Sequence, residues 1–328
     1  MSFGPKMSLG RITVWALVIA GVVLAAANPA RASFPERPIT MIIPWPAGGS
    51  SDQTVRAFSK AAEAHLGQPI VVVNKPGAAS TIGLSELSTA KPDGYTIGLL
   101  TSTAYLLPLT GRKVPYSMPV GFSYVTYMGD NVIGVVVRAN SRWKTVQDLI
   151  AEGKKNPGTL KYATGGVGTY QHMSAEALAR TTGAKFIHIP QKGSAESLPA
   201  LLGNHVDFIT ETSIWAPFVE SGELSVLAVT TETRPEGLEK VPTMKELGVA
   251  SLRSFQIIGG PAGMSEDVRL KLEEAFRKAS KDKSFLNIMA QLKMMPVDMA
   301  GNTVESFIRA QMKTAEELIS QLQIPAAK

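Results

Sequence analysis

Cysteine is absent from all 328 residues, which excludes a disulfide framework and also the lipobox cysteine that would carry a lipid anchor. Histidine occurs four times, at His65, His172, His188 and His205, with no H-E-x-x-H spacing to suggest a metal site. No G-x-x-x-x-G-K-[ST], G-x-G-x-x-G or G-x-S-x-G stretch occurs, so a nucleotide site and a serine-hydrolase elbow are not indicated. Runs of Lys and Arg interleaved with aromatics are missing beyond the N-terminus, which argues against a nucleic-acid surface. No catalytic residue, no metal and no cofactor are therefore expected.

What is present begins with a leader. Lys6 and Arg11 form a basic start, residues 12–27 are uncharged and mostly apolar, and Ala30-Arg31-Ala32 has the small-x-small pattern of a signal-peptidase site. A signal peptide over residues 1–32, cut near Ala32, is expected, with a soluble exported protein left behind. The other reading, an uncleaved anchor, meets the difficulty that sixteen residues fall short of the ~20 needed to span a bilayer. Cleavage would remove Lys6, Arg11 and Arg31 and no acidic residue, taking the net charge from +6 to +3. The 296 residues that remain suit two α/β domains better than one small core.

Strand-like and helix-like periods alternate along that length, which favours mostly parallel sheets with crossover helices. Strands are predicted at 39–44, 70–73 and 95–100, with a helix between the first two carried by Val55, Phe58, Ala62 and Leu66. A second series follows, with strands at 132–137, 160–163, 186–189, 206–210 and 224–229 and helices between them. After a strand at 255–258 the tail is helical, with Ser265 and Asn302 placed as N-caps and one further strand at 295–299. Such a tail fits best packed back on the first unit, so that the chain crosses between lobes twice, near 131–134 and 255–260.

Two glycine-rich turns stand out. In IIPWPAGGSSDQ (42–53) a strand ends and a helix begins across Gly48 and Gly49, which allow close backbone approach, and Ser50 and Ser51, which offer hydroxyls and an N-cap. YATGGVGTYQH (162–172) repeats the order, with Gly165, Gly166, Gly168 and Thr169 before a helix; Lys192-Gly193-Ser194 is a weaker third case. Strand ends and helix N-termini are where parallel α/β sheets hold anions, although a single turn of this kind is more often only a tight turn. Several residues carry two readings: His172 touches a ligand or braces its loop, and Asp52 and Glu211 meet a ligand or stabilise structure. Trp45, Tyr105, Tyr170 and Trp215 wall a pocket or fill a core.

Six stretches in order, FPERPITMIIPWPAGGSSD, VVVNKPGAASTIG, KPDGYT, YATGGVGTYQH, HIPQKGSAESLPALLGNHVD and AVTTETRPEGLEKVPTMKELG, resemble the substrate-binding proteins of tripartite tricarboxylate transporters, the Bug family. The resemblance implies a two-domain α/β periplasmic binding protein of the type II, Venus-flytrap kind, with a ligand cleft between lobes. Its domains would be 33–132 with 258–328, and 133–257. It implies a monomer that captures a small carboxylate, dicarboxylate or aromatic, for a permease of one large and one small membrane subunit. A sensor presenting its ligand to a receptor kinase is the alternative, and a periplasmic enzyme a weaker one. Carried onto this chain, the ligand contacts would be Trp45, Pro46, Ala47, Gly48, Gly49, Ser50 and Asp52 in the first turn, and Thr164, Gly165, Gly166, Gly168, Thr169 and His172 in the second. Ser102 and Thr103 would add a further contact, and Glu211 is the remaining candidate. Trp45 and Ala47, Ala79-Ser80 and Glu211-Thr212 depart from the usual family pattern, and Trp45, Tyr105 and Tyr170 together suggest a longer or aromatic acid.

Overall fold

ITMII at Ile39–Ile43 (β1) has no charged residue and is almost wholly buried, as a strand covered on both faces must be. In the computed structural model, which describes Met1 and residues 34–322, β1 lies inside a six-stranded sheet. The expected leader falls almost entirely outside the described residues. β1 pairs in parallel with Ile70–Asn74 (β2) on one side and Thr96–Thr101 (β3) on the other. Phe255–Pro261 (β10) then runs antiparallel between β3 and Phe122–Asp130 (β4), and Met295–Ala300 (β11) closes the far edge against β4.

A second sheet has five strands. Lys161–Thr164 (β6) lies parallel between Ile187–Pro190 (β7) and Phe208–Thr212 (β8). Ile133–Arg138 (β5) runs antiparallel between β8 and Leu224–Val229 (β9). Both sheets are thus mixed, which corrects the expectation of mostly parallel ones: β5 and β10 are the strands by which the chain enters each sheet from the other. The first passage takes only residues 131–132. The second lies within 230–254, because β10 belongs whole to the first sheet, and the expected 257/258 boundary falls inside that strand.

The helices follow the predicted stripes. Ser50–Leu66 (α1) buries Val55, Phe58, Ala62 and Leu66 and ends on Gly67 in the left-handed conformation, whose N–H closes on Glu63. Phe58 stacks on Phe285 at 4.5 Å and meets Phe276 in a tilted arrangement at 4.9 Å. That contact brings the tail helices Glu266–Ala279 (α8) and Lys283–Gln291 (α9) back onto the first sheet, as expected. Gly301–Leu322 (α10) lays Val304, Ile308, Ala315 and Leu318 in the same core. Its helix starts one residue before the predicted cap Asn302, and Ser265 sits at the N-cap of α8 without a side-chain capping bond. β4, α9 and the short helix Thr103–Leu109 (α3) were not predicted. The helices Thr81–Ser88 (α2), Val146–Lys155 (α4), Tyr170–Thr182 (α5), Ser194–Leu202 (α6) and Ala216–Glu220 (α7) complete the set. Among the described residues no helix is long and apolar enough to cross a membrane.

Candidate functional site

Where the carboxyl ends of β1, β3, β6 and β8 face one another, the two sheets enclose a cleft. Trp45, Pro46, Gly49 and Ser51 line it from the β1–α1 turn, and Thr101, Ser102 and Thr103 from the end of β3. Tyr170 and Gln171 open α5, Gly193, Ser194 and Ala195 open α6, and Thr212 ends β8 on the opposing side. Asn131 and Ser254, one in each connecting passage, form the floor. The walls stand close: the cleft is a cavity of only about 30 Å³, room for a water or two.

Contacts between the sheets explain the tightness. The Ser50 hydroxyl donates to Thr212 Oγ1 at 2.6 Å, and the Tyr170 N–H reaches Thr103 Oγ1 at 3.4 Å. The Tyr170 hydroxyl donates to the Leu252 carbonyl. Glycine is required where the two turns meet: a Cβ on Gly49 would stand 2.9 Å from Ser194 Oγ, and one on Gly193 2.9 Å from Pro46 Cδ. Under the floor, Gln256 accepts from Thr54 at 3.0 Å and donates to Asn131 at 2.8 Å, and Asn131 donates to Ser254 at 3.1 Å.

Of the residues named from sequence, Trp45, Pro46, Gly49, Ser102 and Thr103 line the cleft. Ala47 and Gly48 sit exposed at the tip of the first turn, and Ser50 spends its hydroxyl on the bond to Thr212. Asp52 lies behind the turn, not in the cleft. Its carboxylate accepts from the Gly48 N–H at 2.9 Å, Arg56 Nε at 2.9 Å and Asn74 Nδ2 at 2.8 Å. Burial pushes its pKa up, but the bonds from Arg56, Gly48 and Asn74 outweigh that and hold it below the ordinary value.

The second glycine turn satisfies itself. Thr164 Oγ1 shares a 2.8 Å bond with His188 Nε2, and Thr169 Oγ1 donates to the Gly166 carbonyl at 2.8 Å and accepts from the His172 N–H at 3.3 Å. The Gly168 N–H donates to His172 Nδ1 at 3.3 Å, and the His172 ring stacks on His188 at 4.3 Å. His172 braces the turn, and Thr164, Gly165, Gly166, Gly168 and Thr169 are not among the residues that line the cleft, although a Cβ on Gly165 would stand 3.6 Å from Trp45 and one on Gly166 3.6 Å from Ala79, both on the first sheet's side. The groups that do line it from that side come one step later, at Tyr170 and Gln171, and from the turn at Gly193 and Ser194 that had looked weakest. Among the aromatics, Trp45 and Tyr170 face the cleft. Tyr105 and Trp215 are fully buried in their cores, which removes one of the three rings behind the expectation of an aromatic ligand.

Glu211 is wholly buried one layer behind the wall. It accepts from Ser197 Oγ at 2.9 Å, the Thr212 N–H at 3.1 Å and Gln171 Nε2 at 3.5 Å, with the Gly165 N–H as a further donor. Burial dominates these bonds and pushes its pKa up to about 7.

Among the described residues no charged side chain lines the cleft. Its electrostatics come instead from the starts of three helices, α1 of 17, α5 of 13 and α6 of 9 residues, each with backbone N–H groups that lack intrahelical partners. Thr101 Oγ1 and Gln171 Oε1 in the wall are buried without a hydrogen-bond partner. No group of three or more His, Asp or Glu among the described residues is arranged to hold a metal. A larger hollow of about 460 Å³ lies beside the Arg253–Asp130 ion pair, but no helix begins there.

Comparison with known proteins agrees with this geometry. Residues 54–324 match the family described as tripartite tricarboxylate transporter family receptor. The chain is 36% identical over 308 residues to the UPF0065 protein in gbd 5'region of Cupriavidus necator, covering 92% of this chain and 94% of that one. Among solved structures, the periplasmic binding protein BugD superposes with a TM-score of 0.84 at 27% identity, over 89% of this chain and 99% of its own. Rpa4515 of R. palustris, solved with adipate, superposes with a TM-score of 0.84 at 25% identity over 89% and 99%. The family match over residues 54–324, the identity to a full-length relative and the superposition on a periplasmic binding protein place this chain in the tripartite tricarboxylate transporter receptor family, among the solute-binding proteins of the periplasmic type.

Proposed function

We propose that this protein captures a small organic carboxylate between its two lobes and hands it to a membrane permease of one large and one small subunit. The observation that carries the reading is the convergence of three helix N-termini on a cleft with no charged side chain. Such a site favours an anion held by backbone N–H groups and hydroxyls. Each helix start contributes about 0.3–1 kcal/mol to a bound negative charge, and up to ~2 kcal/mol when the site is shielded from water. The unpartnered Thr101 and Gln171 atoms supply further polar contacts.

The withdrawal of Tyr105 favours an aliphatic acid over an aromatic one, and the adipate held by Rpa4515 is aliphatic. We place the hinge at 131–132 and 251–254, where Asn131 and Ser254 join the two passages. Export to the periplasm follows from the leader. Calorimetry with succinate, malate, adipate and benzoate tests the ligand class. Saturable binding of the aliphatic acids is expected, and binding of benzoate alone would reject that class.

A further inference from the structure

We propose that Glu211 and Gln171 form a proton-gated pair behind the cleft, in which a neutral Glu211 turns the Gln171 amide so that its NH2 group donates to the bound carboxylate. The inference rests on the carboxylate-binding reading and adds to it a positioning residue and a linkage to protons.

Glu211 is surrounded by four neutral donors and no cation: Ser197 from α6, Gln171 from α5, and the Thr212 and Gly165 N–H groups. The charged side chains on the packed elements are engaged elsewhere. On α5, His172 stacks on His188, and Glu176 accepts from the Tyr162 hydroxyl and pairs with Arg180. On α6, Glu196 pairs with Lys192; on β5, Arg138 donates to the Leu201 and Val206 carbonyls; and on α1, Asp52 holds Arg56. An ionised carboxylate is costly to keep in such a place.

Gln171 shows the other half of the pair. It lines the cleft at 9% exposure, its Nε2 contact with Glu211 is long at 3.5 Å, and its Oε1 has no partner. A carboxyl and a primary amide can meet in two ways. Ionised Glu211 accepts from the amide NH2 and leaves the amide oxygen, an acceptor, toward an anionic ligand. Neutral Glu211 donates its own O–H to that oxygen, and the NH2 turns to the cleft beside the α5 N-terminus. The second arrangement satisfies Oε1 and gives the ligand a donor; the first leaves Oε1 unpaired and repels it. The proton comes from solvent and rests on a Glu211 oxygen, so ligand capture draws a proton in. Affinity must then fall as pH rises through the range where Glu211 loses its proton.

Calorimetry decides this, with adipate, malate, succinate and benzoate as probes, between pH 6.5 and 8.5 and in buffers of different ionisation enthalpy. The wild-type protein is expected to take up a fraction of a proton per ligand and to lose about tenfold in affinity across that range. Glu211→Gln, whose amide donates to Gln171 Oε1 at every pH, should bind with the wild-type low-pH affinity and no slope. A purely structural role for Glu211 would leave the wild-type slope flat. Wild-type binding without proton uptake, or a slope that survives in Glu211→Gln, overturns the inference and leaves the carboxylate reading standing. If no acid binds, both fall. Should the variant not fold, the wild-type buffer series alone decides.

Discussion

Substituting Gly193 by alanine tests the closed cleft with the smallest possible change. The Gly193 backbone is extended, with φ 165°, so alanine adopts it without strain. The added Cβ would stand 2.9 Å from Pro46 Cδ and 3.7 Å from Trp45 Cε3, on the far side of the cleft. Carbon atoms pack best at about 3.5–4.0 Å, so the two turns must separate by roughly 0.6 Å or more along that contact. Pro46 is a rigid ring and cannot rotate away. Overpacking of this kind costs about 1–3 kcal/mol, and the cost falls on the closed state because the clash exists only across the cleft. Since 1.4 kcal/mol is tenfold in affinity, ligand binding should weaken by about 5- to 150-fold, while the thermal midpoint of each lobe's core changes little. Calorimetry with the tightest acid of the panel gives the affinity, and small-angle scattering with and without that acid reports closure. Wild-type affinity in Gly193→Ala would show that the ligand does not draw these two turns together, and the cleft would be misassigned.

Four further outcomes follow from the same geometry. Thr212→Val removes the 2.6 Å cross-cleft bond and leaves the Ser50 hydroxyl buried and unpaired, so affinity should fall by a factor equivalent to about 1–3 kcal/mol; a double-mutant cycle with Ser50→Ala should show coupling. Asp52→Ala frees the Gly48 N–H and removes one acceptor each from Arg56 and Asn74, which keep their bonds to Asn74 Oδ1 and the Trp45 carbonyl, and a loss of about 1–3 kcal/mol is expected in urea unfolding at pH 7. Because the Asp52 pKa is lowered on folding, its stabilisation is present above the ordinary carboxylate range and lost as pH drops through the lowered value, so the wild-type and variant unfolding curves should converge in strong acid. For Glu211 the sign is opposite: its pKa is raised from the ordinary 4.5 to about 7, so its contribution is full below 4.5 and lost as pH rises through 7, by about 3 kcal/mol. Glu211→Gln should therefore be flatter in stability from pH 5 to 8, which chemical unfolding across that range would check.

Some elements were legible because their signal is local. The α1 stripe of Val55, Phe58, Ala62 and Leu66 repeats at helical spacing, and the tail helices carry the matching Leu272, Ala275 and Phe276, so their packing on one another could be anticipated. β4 was missed because FSYVTYMGD is buried on nearly every residue and so has no strict alternation of apolar and polar residues to read. α9 was missed because nine residues give too few turns for a period to emerge. The two carboxylates divide for a different reason. Asp52 and Glu211 each stand at a strand-to-helix junction, but what they do is set by Asn74 in one case and by Ser197 and Gln171 in the other.

The amino-acid order was enough to predict an α/β chain and to recognise its family by its motifs, because periodicity and turn chemistry are written within a dozen residues. It also placed Trp45, Pro46 and Gly49 at a strand end facing a helix start. Two similar glycine turns, 164–169 and 192–194, both come near the first sheet's side, Gly165 beside Trp45 and Gly193 against Pro46, and which of them makes the tighter approach depended on how the second sheet meets the first. Both turns obey the same local rules; Gly168 and Gly166 spend that grammar on His172 and Thr169, and Gly193 spends it against Pro46. That choice is made by contacts between residues about 150 positions apart, a distance over which neither spacing nor composition carries information.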